Sequence, residues 1–306
     1  MLKNKDLLGL KDISEAEIEQ ILDTAVSMKK ILKSENRRTN TLSNKTVATL
    51  FYENSTRTRT SFETAAKYMG ANVNSIAVVQ SSVSKGETLI DTGKALDALL
   101  TDVIVRRHSC SGAPLLLSKN VKASVINGGD GSNEHPTQAL LDMFTMKEVF
   151  GKLNGLKVAL IGDIKHSRVA RSNIFGLKKM NAEVSIAAPY TLIPNDLEKV
   201  VRVYTNVEDA VRGADVVMGL RIQTERQKKG LFPSIKEFHK FYGITSKLLK
   251  HANKTCIVMH PGPINRGIEI SSTIADSEQS TILTQVTNGL AVRMAILQLL
   301  TGKKEK

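Results

Sequence analysis

The stretch from Thr46 to Gly70 runs from a strand into a helix across one short polar break, and few folds are open to a chain built that way. Thr46-Val47-Ala48-Thr49-Leu50-Phe51-Tyr52 is β-branched and aromatic enough for a buried strand, and Glu53-Asn54 interrupts it. Phe62 to Met69 is helical in composition and stops at Gly70. Strands that feed helices directly belong to α/β architectures with a parallel sheet. The junction itself is Ser55-Thr56-Arg57-Thr58-Arg59-Thr60-Ser61. Unpaired N–H groups and the positive end of a helix dipole meet forked guanidinium donors there, which suits a phosphate or phosphate ester. For any single residue of the heptad, a helix cap or a solvated arginine is the alternative.

The same alternation continues down the chain. Asn74 to Val79 reads as a strand, followed by the polar loop Gln80–Glu87, which holds Ser81 and Lys85, and by a helix from Thr88 to Leu100. The loop is either a flap over a site or an ordinary connection. The strand Asp102–Val105 ends in Arg106-Arg107-His108, and the strand Ala123–Asn127 ends in a Gly-rich turn leading to His135-Pro136-Thr137-Gln138 and a helix to Phe150. Polar residues at the C-terminal ends of such strands lie where α/β folds keep their ligands, so Arg107, His108, His135 and Gln138 are candidates. A surface ion pair is the alternative for Arg107 or His108.

Gly151 to Gly155 reads as a domain boundary. Beyond it come a strand at Lys157–Ile161, a helix from Arg168, a strand at Glu183–Ala187, a helix over Pro194–Arg202 and a strand at Asp215–Leu220. A loop over 224–245 with a short internal helix, a strand at Cys256–Met259 and a helix from Gln279 to Leu300 complete the series. The turn after Ile161 lacks G-x-G-x-x-G, which argues against a dinucleotide. Those strand ends deliver Asp163, Lys165, His166 and Arg168, then Arg221 and Gln223. The last strand ends in His260-Pro261-Gly262-Pro263, whose prolines fix the backbone and leave carbonyls able to accept hydrogen bonds from an amide.

A length of 306 residues exceeds what one hydrophobic core usually organises. The expectation is two doubly wound parallel-sheet α/β domains of similar size, with an active site in the cleft between them. Residues 1–134 form the first, 135–150 an interdomain helix, 151–285 the second, and 286–306 a helix returning to the first. The formal charge of +13 raises the question of nucleic acid. With no Trp, 4% aromatic residues and scattered lysines, it better suits small polyanionic substrates. No apolar run is long enough to span a bilayer, and the N-terminus lacks the order of a signal peptide, so no membrane partner and a cytoplasmic location are expected. Cys110 and Cys256 are expected to be small structural hydrophobes.

Taken together and in order, Ser55-Thr56-Arg57-Thr58-Arg59, Ser81 to Glu87, Arg107-His108, His135-Pro136-Thr137-Gln138, Gly162-Asp163 with Arg168, Arg221-Ile222-Gln223 and His260-Pro261 resemble the carbamoyltransferase family over nearly the whole chain. The resemblance implies that Ser55, Thr56, Arg57 and Thr58 wrap the phosphate of carbamoyl phosphate, and that Thr58, Arg107 and His135 hold its carbonyl oxygen. It implies that Gln138 and the carbonyls of Pro261 and Gly262 hold the carbamoyl nitrogen, and that Arg168, Arg221 and Gln223 grip the carboxylates of L-aspartate. Ser81 and Lys85 match residues that reach in from a neighbouring subunit of a homotrimer, and Glu53 would pair with Arg168 and Arg226 on closure. Ornithine is the rival acceptor, but an ammonium-bearing side chain needs an acidic partner, and the ornithine branch carries Cys-Leu-Pro where this chain has Pro261-Gly262-Pro263. No cofactor or metal is implied, a regulatory chain is a further conceivable partner, and the reaction would be an early step of pyrimidine synthesis.

Overall fold

In the computed structural model, which describes residues 2–77, 86–223 and 234–302, the chain divides into two compact units. Unit 1 comprises Met1–Phe144 and Thr287–Lys306, and unit 2 comprises Thr145–Val286. Ser81, Lys85 and Arg226 lie outside the described residues. Among the described residues, no helix is long and apolar enough to cross a membrane.

Unit 1 begins with α1 (Glu15–Lys33), where Ser14 and Glu17 form a reciprocal capping box and Ile18, Ile21, Leu22, Ala25 and Met28 are buried at helical spacing. Then follow β1 (Thr46–Phe51), α2 (Thr56–Tyr68), β2 (Asn72–Ala77), α3 (Leu89–Ala98), β3 (Val103–His108), α4 (Ala113–Ser118), β4 (Ser124–Asp130) and the start of α5 (Pro136–Phe150). The strands pair in parallel in the order β2-β1-β3-β4. Ala48, Leu50, Ile104 and Val125 pack against Leu96 of α3 and Leu117 of α4, so one sheet face is core.

Unit 2 continues with β5 (Lys157–Gly162), α6 (Arg168–Lys179), β6 (Glu183–Ala187), β7 (Arg202–Tyr204), α7 (Val207–Val211) and β8 (Val216–Leu220). It goes on through α8 (Ile235–Tyr242), α9 (Ser246–Leu249), β9 (Ile257–Met259), α10 (Ser272–Ala275) and the start of α11 (Ile282–Thr301). Its strands are parallel in the order β7-β6-β5-β8-β9. Ala159, Ile161, Val217 and Val258 pack against Val207, Val211, Leu248 and Ile274. The later part of α11 counts with unit 1, where Asn288 accepts from the Lys29 ammonium at 2.6 Å and Arg293 donates to the Ser61 hydroxyl at 2.8 Å.

Three expectations need correction. The helix over Pro194–Arg202 does not form: a short 3₁₀ turn at Tyr190–Leu192 leads to separate turns closed by Leu197 N–H to Pro194 and Val200 N–H to Leu197, and Arg202 opens β7 against Ser185 of β6. Val200, Val201, Val203 and Tyr204 favour a pleated surface, and the free edge of β6 supplies the partner. The second strand begins at Asn72 rather than Asn74, and Val78 and Val79 lie outside the described residues. Cys256 is buried as expected, but Cys110 is exposed just beyond β3.

Candidate active site

In a parallel sheet all strand C-termini share one edge, and a ligand crevice opens where neighbouring strands send their connections to opposite sides. In unit 1 that point lies between β1 and β3, flanked by β4; in unit 2 it lies between β5 and β8, flanked by β9. The residues singled out by sequence gather on these two edges, one set in each unit.

In unit 1 the loop after β1 carries Glu53 and the Ser/Thr/Arg heptad. Ser55 occupies the N-cap of α2 in an extended backbone conformation but makes no side-chain cap, and the first turn holds no acidic residue. Among the described residues no carboxylate or hydroxyl caps the leading N–H groups of Thr56, Arg57 and Thr58, which suits them to an anionic ligand. The Thr58 side chain is buried. Arg57 has an exposed surface, yet the protein atoms around its guanidinium push its pKa below the ordinary value by desolvation. Arg59 turns away to Glu63 at 3.9 Å, and Glu63 also accepts from the Thr49 hydroxyl, so Arg59 supports the helix.

Arg107, next to last in β3, has its guanidinium held from two sides, donating to Glu53 Oε1 at 2.7 Å and to the Gly128 carbonyl at 3.1 Å. Glu53 thus pairs with Arg107 inside unit 1. At the end of β4, Asn127 donates to Asp130 Oδ1 at 2.7 Å, Asp130 accepts from the N–H groups of Gly112 and Glu134, and the Glu134 carboxylate accepts from the Leu10 N–H at 2.7 Å. This buried network sets the turn that delivers His135 directly before Pro136 at the head of α5. The Gln138 N–H donates to the His135 carbonyl at 3.0 Å, and its side-chain amide donates to Asp142 at 2.9 Å. His108 is half-buried, its Nδ1 accepts the Cys110 N–H at 2.8 Å, and desolvation pushes its pKa down.

Sequence reading assigned no role to Arg106. It is fully buried, its guanidinium lies 3.7 Å from the Tyr52 ring centre, and Nη1 donates to the carbonyls of Leu50 and Arg107 at 3.3 and 3.0 Å. Its Nε and Nη2 have no hydrogen-bond partner among the described residues, and burial lowers its pKa to about 10. The period-two alternation of β3 was the available signal, because it places Arg106 on the face of Ile104, which is core.

In unit 2, Gly162 adopts φ +135°, and a Cβ there would run into the Leu220 carbonyl, so β5 and β8 approach as only glycine permits. Asp163 is fully buried; Oδ1 accepts from the His166 N–H at 3.2 Å and lies 2.9 Å from its ring, while Oδ2 accepts from the Gln223 N–H at 3.2 Å. One carboxylate thus ties the ends of β5 and β8 and places Gln223 two residues beyond Arg221. Arg168 is buried at the first position of α6, which Ser167 caps by accepting the Ala170 N–H.

After β9 the His260 N–H donates to Gln285 Oε1 at 2.9 Å, the Gly262 N–H donates to His260 Nδ1 at 2.8 Å, and the Asn265 N–H donates to Glu269 Oε1 at 2.5 Å. Gly262 sits at φ +64°, left-handed backbone that favours glycine. No donor among the described residues reaches the carbonyls of Pro261 and Gly262. The unit 1 edge therefore offers N–H groups and guanidiniums to an anion, and the unit 2 edge offers arginines, an amide and two open carbonyls.

The model of the aspartate/ornithine carbamoyltransferase carbamoyl-P binding domain matches residues 5–148, and that of the Asp/Orn binding domain of the same family matches residues 154–300. The aspartate carbamoyltransferase catalytic subunit of Ruminiclostridium cellulolyticum is 64% identical over 303 residues, covering 99% of this chain and 97% of its own. The corresponding subunit of Acetivibrio thermocellus is 63% identical over 304 residues, with coverage of 99% and 97%. Among solved structures, aspartate transcarbamoylase from Trypanosoma cruzi in complex with N-(phosphonacetyl)-L-aspartic acid is 30% identical, covers 97% of this chain and 95% of its own, and has a TM-score of 0.88. Ornithine carbamoyltransferase from Pyrococcus furiosus is 31% identical, covers 98% of both chains and has a TM-score of 0.87.

Proposed function

The chain belongs to the aspartate/ornithine carbamoyltransferase family, and we propose that it transfers the carbamoyl group of carbamoyl phosphate to the amine of L-aspartate, giving N-carbamoyl-L-aspartate and phosphate. The observation that carries the choice of acceptor is the identity of 64% and 63% over the whole chain with catalytic subunits of aspartate carbamoyltransferase. Backbone likeness does not separate the acceptors, since the aspartate and ornithine enzymes superpose with TM-scores of 0.88 and 0.87. Arg221, Gln223 and Arg168 favour a dicarboxylate on chemical grounds.

In this reading, the N–H groups at the head of α2, with Ser55, Thr56, Arg57 and Thr58, hold the phosphate. Thr58, Arg107 and His135 donate to the carbamoyl oxygen, where negative charge grows as the amine attacks carbon. Gln138 and the carbonyls of Pro261 and Gly262 hold the carbamoyl nitrogen, and Arg168, Arg221 and Gln223 hold the two carboxylates. A C–N bond forms, the C–O bond to phosphate breaks, and the departing phosphate takes the proton lost by the amine. Orientation of two bound anions supplies much of the rate, and no covalent intermediate is required. Ser81 and Lys85 act from a neighbouring subunit of a homotrimer, and the product feeds pyrimidine synthesis in the cytoplasm.

Phosphate release from carbamoyl phosphate, measured with aspartate, with ornithine and with no acceptor, tests the reading. Turnover with aspartate alone is expected; turnover with ornithine, or none with aspartate, overturns it. Mixing a Lys85→Ala chain with an Arg57→Ala chain tests the shared site, because activity recovered in the mixture requires residues from two subunits.

A further inference from the structure

We propose that Glu269 is a positioning residue for the transfer reaction: it clasps both ends of the turn at 260–265 and so aims the carbonyls of Pro261 and Gly262. The inference rests on the function proposed above, in which those carbonyls accept from the carbamoyl nitrogen. Glu269 comes from beyond the turn and is 1% exposed, a burial that a carboxylate tolerates only with fixed partners. Its Oε1 accepts the Asn265 N–H at 2.5 Å, at the far end of the turn, and lies 3.2 Å from His260 Nε2, at the near end, a close polar approach rather than a formed hydrogen bond. His260 Nδ1 already accepts the Gly262 N–H, so in the neutral ring the proton sits on Nε2, facing Glu269. His260 is fully buried, and its own N–H is taken by Gln285.

The consequence concerns which main-chain groups remain. The N–H groups of His260, Gly262 and Asn265 are all consumed by acceptors inside unit 2: Gln285, the His260 ring and Glu269. Pro261 and Pro263 have no N–H to offer. Across residues 260–263 both N–H groups are satisfied inwardly and both prolines have none, so this part of the turn presents only acceptors outward. Such a surface selects an NH₂ group and rejects a methyl group of the same size, because a carbonyl facing methyl loses a hydrogen bond it would otherwise make to water.

Acetyl phosphate, which carries methyl where carbamoyl phosphate carries NH₂, is the probe. The ratio of its inhibition constant to the KM of carbamoyl phosphate measures selection at the turn, while inhibition by inorganic phosphate measures the α2 edge alone. Glu269→Gln keeps shape and reach but loses the charge that strengthens both contacts; Glu269→Asp keeps charge but is one methylene short. The selection ratio is expected to fall about threefold in Glu269→Gln and about tenfold in Glu269→Asp, with phosphate inhibition unchanged. Glu269→Gln with the wild-type ratio overturns the proposal, whatever the aspartate variant does. A loss of phosphate affinity parallel to the loss for carbamoyl phosphate also overturns it, as general loosening of the enzyme. A wild-type enzyme that does not turn over aspartate, or that does not distinguish the two acyl phosphates, instead defeats the underlying reading.

Discussion

The end of β3 in unit 1 and the end of β9 in unit 2 solve one problem with opposite charges. At β3 a buried cation, Arg106, donates to the carbonyls of Leu50 and Arg107. At β9 a buried anion, Glu269, accepts the Asn265 N–H and faces the His260 ring. A guanidinium has only donors and consumes carbonyls; a carboxylate has only acceptors and consumes N–H groups. Each buried charge therefore decides which main-chain groups are left over. Around β1 and β3 the remainder is N–H and guanidinium, which suits phosphate, and around β9 it is carbonyl, which suits an amide. The general lesson is that a ligand edge can be given its polarity from behind, by the charge that solvates its backbone.

The largest expected effect comes from Arg107, which Glu53 and the Gly128 carbonyl hold near the end of β3. Arg107→Ala should lower kcat/KM for carbamoyl phosphate by about 10²–10³, the scale of losing an oxyanion donor, in a steady-state phosphate-release assay. A loss below tenfold would mean that the edge does not depend on this cation.

Arg106 tests the other half of the contrast. Arg106→Met should destabilise the protein by about 2–4 kcal/mol in denaturant titration, because the Leu50 and Arg107 carbonyls each lose a buried charged donor, the Arg107 carbonyl keeping only the Tyr52 N–H. Among the described residues no carboxylate is hydrogen-bonded to the Arg106 guanidinium, so Arg106→Met with equal or greater stability would show the cation to be a burden on the fold and would break the comparison.

Asp163 sharpens the contrast within unit 2, since it too gathers N–H groups, from His166 and Gln223. Asp163→Asn should raise KM for aspartate by about three- to tenfold while leaving KM for carbamoyl phosphate near its wild-type value. Equal changes in both would place Asp163 in general stability rather than in holding Gln223.

The smallest effect is expected from His108. Desolvation, together with the nearby Arg106 charge, lowers its pKa in the folded state, so the unfolded chain binds the proton more readily. Its stabilising contribution is present above the unfolded value near 6.5 and is lost as pH falls below it. Denaturant midpoints at pH 7.5 and 5.5 should therefore separate slightly more in wild type than in His108→Asn, and an identical separation would rule out His108 as the source.

The alternation of strands and helices was readable because each element carries its own period and stop signals: the capping box at Ser14 and Glu17, the β-branched run before Glu53, the glycine after Met69. The helix expected over Pro194–Arg202 misled because its composition suits two states, and only the open edge of β6 resolved it. Candidate residues at strand ends were legible for the same local reason. In a parallel fold all strand C-termini share one edge, so a charged residue following an apolar run is brought to that edge. Whether it faces a ligand or, as Arg106 does, the core is not local. Arg106 and Glu269 were not legible as supports, because their partners are main-chain groups, Leu50 and Asn265 among them, that leave no mark in a side-chain pattern.

By itself the sequence determined that this chain is built from βα units and which polar residues stand at their ends, because hydrophobic period and turn chemistry are local properties. Only the tertiary structure decided that Arg106 turns inward over Tyr52 while Arg107 meets Glu53, and that Glu269 meets both His260 and Asn265. Those choices depend on burial and on main-chain groups brought together from distant positions, and a buried charge is held only where such groups converge to replace water.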